Sequence, residues 1–154
     1  MDKYIIKQAD LSDLDYVAQL FDQYRVFYNQ TSDLEGGRKF IRERMENYQS
    51  VIFLALENEK SKVYPLGFVQ LYPSFSSVSM KKLWILNDLY VEVSARKRGI
   101  ARQLMARAID YASETGAKGL ILETAVTNHQ AKRLYESIGY KKDVHSDHYE
   151  FILK

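Results

Sequence analysis

The chain has 154 residues, 46% hydrophobic and 27% charged, with a net charge of +2. That mixture suits one ordinary globular domain over 1–154 and excludes a fibre or a disordered chain, while so small a charge gives no general pull toward nucleic acid or a membrane surface. Without cysteine, disulfides, thiolate zinc sites and cysteine nucleophiles are all excluded, and no run approaches the ~20 apolar residues that span a bilayer.

The N-terminal M-D-K-Y-I-I-K lacks a signal-peptide apolar core, because Lys7 and Asp10 interrupt it, so a cytoplasmic protein is the expectation. Tyr4 to Gln8 reads as a strand. From Asp10 the period becomes helical, with Leu14, Val17, Ala18, Phe21, Tyr24 and Tyr28 recurring and Asp10 or Ser12 available as a cap. A second helix is predicted over Leu34 to Asn47, then a buried strand over Val51 to Glu57. Another strand runs from Leu66 to Leu71 and ends at Pro73. A serine-rich linker leads into a long strand, Leu83 to Val93. A helix follows from about Gly99 to Thr115, with an inward stripe of Ile100, Leu104, Ala108 and Ala112 and a closing Gly116. Leu120 to Thr124 is predicted as a strand. A helix capped by Asn128 and closed by Gly139 comes next, and Tyr140 to Lys142 with Tyr149 to Leu153 are predicted as a terminal strand pair.

Between Val93 and Ile109 the chain carries Arg96, Lys97, Arg98, Arg102 and Arg107 and no acidic residue. The cluster lies between a strand and a helix. A helix N-terminus offers unpaired N–H groups and partial positive charge to an anion, and Gly99 lets the backbone approach closely. The turn has neither the Walker pattern nor the three glycines of a dinucleotide loop. On charge alone it reads equally well as a solvated basic turn.

R-K-R-G-I-A fits the [QR]-x-x-G-x-[GA] signature of the GNAT superfamily of acyl-CoA-dependent N-acetyltransferases. It follows L-Y-V at Leu89 to Val91, and Asn128 with Tyr135 in L-Y-E-S-I-G-Y is similar to the family's second motif. The order of elements along nearly the whole chain resembles that fold. The resemblance implies an α+β domain, with a mixed and mostly antiparallel sheet of six or seven strands flanked by about four helices. It implies acetyl-CoA as cosubstrate and no metal. The pyrophosphate would rest on the main chain of Arg98, Gly99, Ile100, Ala101 and Arg102, with Arg96 and Lys97 at the loop entrance. Pantetheine would pair with the main chain at Leu89, Tyr90 and Val91, and Asn128 would contact the coenzyme while capping its helix. By the same resemblance the N–H of Leu89, at a strand bulge, stabilises the oxyanion, and Tyr135 returns a proton to the departing thiolate. Spacing alone places Tyr135 in the core, beside Leu134 and Ile138.

The general base is less defined. Asn87 and Asp88 stand where several family members carry a carboxylate. Asn87 cannot serve; Asp88 can, although adjacent strand residues face opposite sides. Glu123, His145 and His148 are alternatives, and His129 reads as a surface residue. Aromatics at Tyr24, Phe27, Tyr28, Tyr72, Phe75 and Trp84, with Asp33 and Glu35, suit a cationic amine. Tyr72 to Val91 also resembles a bacterial subgroup loosely named after histone and polyamine acetyltransferases, which implies a polyamine, lysine-type or small amine acceptor. The family's habit implies a homodimer. A catalytically silent acyl-CoA-binding module is the competing reading. A nucleic-acid module is disfavoured by the low net charge and the absence of an aromatic-interleaved RNA motif.

Overall fold

The structure is a computed structural model describing residues 3–154. Two compact units are present, one ending at Glu123 and the other comprising Thr124–Lys154. In the first, β1 (Tyr4–Gln8), α1 (Leu14–Phe27), α2 (Leu34–Glu46), β2 (Val51–Glu59), β3 (Lys62–Ser76), β4 (Lys81–Val91), α3 (Ile100–Glu114) and β5 (Leu120–Ile121) follow in order. The sheet order is β1-β2-β3-β4-β5, antiparallel except for the parallel β4–β5 pair. This is the mixed, mostly antiparallel α+β arrangement expected.

Each helix buries a stripe against one face of the sheet. Leu14, Val17, Leu20 and Phe21 of α1 and Ile41 of α2 pack on Ile52, Leu54, Leu56, Phe68 and Tyr90. The opposite face receives α3 through Ile100, Leu104, Met105, Ala108 and Ala112, and Tyr111 sits against Phe53 and Trp84. Entry into α1 is set by a reciprocal cap: Ser12 N–H donates to Asp10 Oδ1 at 2.9 Å, and Asp10 N–H donates to Asp13 Oδ2 at 3.0 Å. The Asp13 carboxylate is buried and is balanced by Lys7 at 2.9 Å. Such caps replace hydrogen bonds that the first turn of a helix cannot make internally.

Three expectations need correction. β3 does not end at Pro73 but continues to Ser76, because β2 stops pairing at Val51–Leu71 and the missing proline N–H faces an unpaired edge. The serine-rich segment is therefore mostly a hairpin. β5 pairs over Leu120–Ile121 alone, not to Thr124. The sheet has five strands among the described residues, where six or seven were expected, since neither 140–142 nor 149–153 is a strand. In that stretch the Asp143 carboxylate accepts the His145 N–H at 2.8 Å, a local turn that competes with strand pairing.

The second unit contains α4 (His129–Ile138). Asn128 Oδ1 accepts the Ala131 N–H at 3.2 Å, so the predicted cap forms, and Gly139 ends the helix with φ 123°. Among the described residues no helix is long and apolar enough to cross a membrane.

Leu104 is fully buried in the α3 layer. Leu104→Ala is expected to cost about 2–5 kcal/mol through lost burial and a residual cavity, read as a lower midpoint in urea unfolding.

Candidate active site

The central feature is a register change between β3 and β4. Gln70 is opposite Asp88 and Leu71 is opposite Leu86, so Asn87 is an extra, unpaired residue. Paired residues share a face and adjacent residues do not. Leu86 and Trp84 therefore stand with Leu71 on the α3 face, where the Trp84 indole N–H donates to Thr115 Oγ1 at 2.9 Å. Asp88 and Tyr90 stand with Gln70 and Phe68 on the α1 face. A β-bulge has this effect: one inserted residue re-aims everything after it. The bulge lies between Leu86 and Asp88, rather than at Leu89 itself, which pairs with Val69.

Asp88 is buried among hydrogen-bond donors. Gln70 Nε2 donates to its Oδ2 at 2.5 Å and Asn87 Nδ2 to its Oδ1 at 3.1 Å. The Tyr24 hydroxyl is a further donor to the carboxylate. Burial pushes the Asp88 carboxyl above its ordinary range, against the opposing pull of these donors. Gln70 Nε2 also reaches Tyr72 Oη at 3.1 Å. Burial and the Asp88 charge raise the Tyr72 phenol to about 12, and the same two causes raise Tyr24 further. Tyr24 anchors an aromatic wall, with ring centroids 5.0 Å from Tyr28, 6.0 Å from Phe68 and 6.3 Å from Tyr90. Phe27 lies 6.5 Å from Tyr90.

Beyond Ile85–Ile121, β5 no longer accompanies β4. Within the first unit the β4 edge from Leu86 to Val91 thus has a ladder partner only in β3. The basic turn follows. Lys97 (φ 65°) and Gly99 (φ 76°) are both left-handed, an alternation that turns successive N–H groups toward one side as an anion nest. Gly99 is the N-cap of α3 and gives no side-chain cap bond. A Cβ there would meet no atom within 4 Å, so Gly99 borders open space at the start of α3.

The arginine side chains of this turn point away from it in two directions. Arg98 is held by Glu57, Nη2 to Oε1 at 2.8 Å, and lies over the Tyr4 ring at 5.7 Å. Arg96 donates from Nε to the Val91 carbonyl at 3.0 Å and lies over Phe27 and Tyr90 at 5.6 and 5.7 Å. Ile100 is buried, while Ala101 and Arg102 occupy the first turn of α3. Arg96 and Arg98 are thus tied to groups of the fold.

The other candidates lie elsewhere. Asp33 is the N-cap of α2, accepting the Gly36 N–H at 2.9 Å, which ties its carboxylate to a structural bond. Glu123 lies past the end of β5, and His129 opens α4. His145 and His148 lie beside Asp143 and lower its proton affinity. Tyr135 belongs to the second unit, 6.2 Å from Tyr140; the Tyr140 phenol is raised to about 12 by burial and by Tyr135. Sequence reasoning missed Gln70, whose signal was a lone amide inside the apolar run L-G-F-V-Q-L. It also missed Arg44, which had no signal beyond its place in the last turn of α2.

Because the folded carboxyl of Asp88 is raised, its contribution to stability is present below the unfolded pKa and lost as pH rises through the folded one. Asp88→Asn removes that loss, and a rotated Gln70 amide can accept from the new side chain. The variant is expected to melt at or above the parent temperature at pH 7, with the difference shrinking toward about pH 4. A calorimetric series across that range checks the sign.

Comparisons with known proteins agree with this geometry. The sequence profile of the acetyltransferase (GNAT) family matches residues 15–140. The uncharacterized N-acetyltransferase YhfO of Bacillus subtilis (strain 168) is 49% identical over 144 residues, covering 94% of each chain. A crystal structure of a probable acetyltransferase superposes with a TM-score of 0.90 at 44% identity, over 97% of this chain and 98% of the other. At 18% identity, which speaks to the fold alone, aminoglycoside N-acetyltransferase AAC(6')-Iy in complex with CoA superposes with a TM-score of 0.77, over 98% of this chain and 94% of that one. With the profile spanning most of its length and close relatives matching from end to end, this chain belongs to the acetyltransferase (GNAT) family of acyl-transfer enzymes.

Proposed function

We propose that the protein moves an acetyl group from acetyl-CoA to a primary amine by direct transfer in a ternary complex. The observation that carries this reading is the junction of an uncapped, nest-like α3 N-terminus with a β4 edge left open beyond Ile85. The first matches a pyrophosphate and the second an extended amide chain, the two ends of one coenzyme. Gly99 fits the group, since it borders open space at the start of α3 and a side chain there would enter that space. The family profile runs from residue 15 to 140, across the boundary at Glu123. That span supports a single transferase domain over the chain, and the family resemblance gives Asn128 a coenzyme contact and Tyr135 the proton return.

The cosubstrate supplies the acetyl thioester. An amine of pKa near ~10 arrives as an ammonium and must lose a proton before attack. The Tyr24 hydroxyl takes that proton as it releases its own to Asp88, whose raised pKa makes it the stronger base. The amine nitrogen then bonds to the acetyl carbon and the carbon–sulfur bond breaks. The Leu89 N–H faces the developing oxyanion, and Tyr135 protonates the thiolate, of parent pKa roughly 8.5. Leu89, Tyr90 and Val91 hold the pantetheine by main-chain groups. Arg96, Lys97, Arg98, Ile100, Ala101 and Arg102 frame the phosphate turn.

Thiol release from acetyl-CoA across an amine panel tests the reaction; melting shifts without release would instead support a silent binder. Gly99→Ala is expected to raise the KM for acetyl-CoA several-fold, with the KM for amine little changed. Tyr135→Phe is expected to lower kcat by roughly ten- to a thousandfold while the coenzyme Kd stays near the parent value, checked by steady-state kinetics and titration calorimetry.

A further inference from the structure

The face that holds Asp88 also carries polar groups with nothing to satisfy them. Arg44 Nε is buried without a hydrogen-bond partner. The nearest carboxylate, that of its neighbour Glu43, is 3.5 Å from Nη2, near the outer limit of an ion pair. The guanidinium is drawn down over the Phe40 ring at 4.6 Å, and its charge is felt at the Tyr72 phenol. A basic residue in the last turn suits the helix dipole, but that requires only a solvated charge. Here a donor is buried and unused.

Two more such atoms belong to or adjoin the strands of this face. Ser50 directly precedes Val51, which pairs with Leu71, so Ser50 comes level with Tyr72; its hydroxyl is buried and unpartnered. Gln70 Oε1, beside Asp88, is also buried and unpartnered. Buried polar atoms are nearly always paired, and an unpaired set calls for an explanation. The set has a polarity. Arg44 Nε is a donor on a guanidinium whose charge reaches Tyr72, and the Ser50 hydroxyl, able to donate, comes level with that residue; Gln70 Oε1 and Asp88 are acceptors two residues along β3, roughly 7 Å away at strand spacing.

Arg96 adds a second cation on this face, stacked on Phe27 and Tyr90, with no carboxylate in ion-pair reach among the described residues. A purely cationic acceptor would meet the Arg96 charge, which no ion pair balances, and the Arg44 charge, which Glu43 balances only at 3.5 Å.

We propose that the acceptor of the acetyl transfer proposed above is an amine that also carries a carboxylate, an amino-acid-type molecule. Its carboxylate is held by Arg44 and Ser50, and its amino group faces Asp88 and Gln70. The inference rests on the acetyl-transfer reading and sets aside the polyamine implied by the subgroup resemblance. Arginine suits the role because its planar fork meets both carboxylate oxygens.

The test is thiol release from acetyl-CoA with a panel of α-amino acids, each paired with the amine left when its carboxylate is removed, and with spermidine. The best amino acid is expected to exceed its paired amine in kcat/KM by roughly tenfold or more, the weight of a charged hydrogen-bonded contact. Arg44→Gln should collapse that ratio toward one through the KM of the amino acid, with the KM for acetyl-CoA unchanged. Arg44→Lys, which keeps the charge but loses the fork, should restore only part of it. Equal or better use of the decarboxylated amines or spermidine overturns the proposal, as does an unchanged ratio in a folded Arg44→Gln protein. Absence of thiol release with every amine would overturn the acetyl transfer itself, and the acceptor assignment with it.

Discussion

A single unpaired residue, Asn87, sets the side of the sheet on which Asp88 lies, and the candidate chemistry depends on that placement. Without the bulge, Asp88 would continue the row of Trp84 and Leu86 into the apolar layer beneath α3. A carboxylate there would be desolvated with few donors, a placement that costs several kcal/mol. With the bulge it meets Gln70, Tyr24 and Asn87, which pull its pKa partly back while burial keeps it raised. Fold and site thus share one irregularity.

The same strand provides the second element of the site by what it lacks. β5 leaves β4 after two residue pairs, and the turn beyond Val91 enters α3 through two left-handed residues, one of them not glycine. Lys97 in that conformation costs of order 1 kcal/mol or more, a strain the surrounding contacts must hold. Arg98, clamped to Glu57, and Arg96, bonded to the Val91 carbonyl, are such contacts. Two of the basic side chains therefore hold the turn in shape.

Much of this could be read from residues. Helical periodicity located α1, α2, α3 and α4 nearly to the residue, and Asn128 capped its helix as its type suggested. The glycine turn was recognisable from its R-K-R-G-I-A pattern and from the close backbone approach that Gly99 allows, whereas its left-handed φ was not. Other features could not be read. The resemblance implies a bulge at Leu89, but its place at Asn87 is invisible, because Trp84, Leu86, Asp88 and Tyr90 are all buried at an unbroken spacing of two, which looks like one face when it is two. Strand alternation therefore argued against Asp88 for a reason the structure removes. Pro73 looked like a terminator because sequence does not show which edge of a strand lacks a neighbour. The terminal strands failed where Asp143 turned back on His145, a local bond that alternation does not record.

Trp84 is the sole tryptophan of the chain, and it stands on β4 at the register pair with Leu120, where β5 begins. Its ring is buried, tilted against Tyr111 at 5.3 Å, with its N–H engaged by Thr115. An indole so enclosed emits as in an apolar solvent and receives excitation from the adjacent phenol. The protein therefore carries an intrinsic optical gauge at the fork of its two strands. Any spreading or closing of that fork alters the emission colour and the tyrosine-to-tryptophan energy transfer, with no label attached.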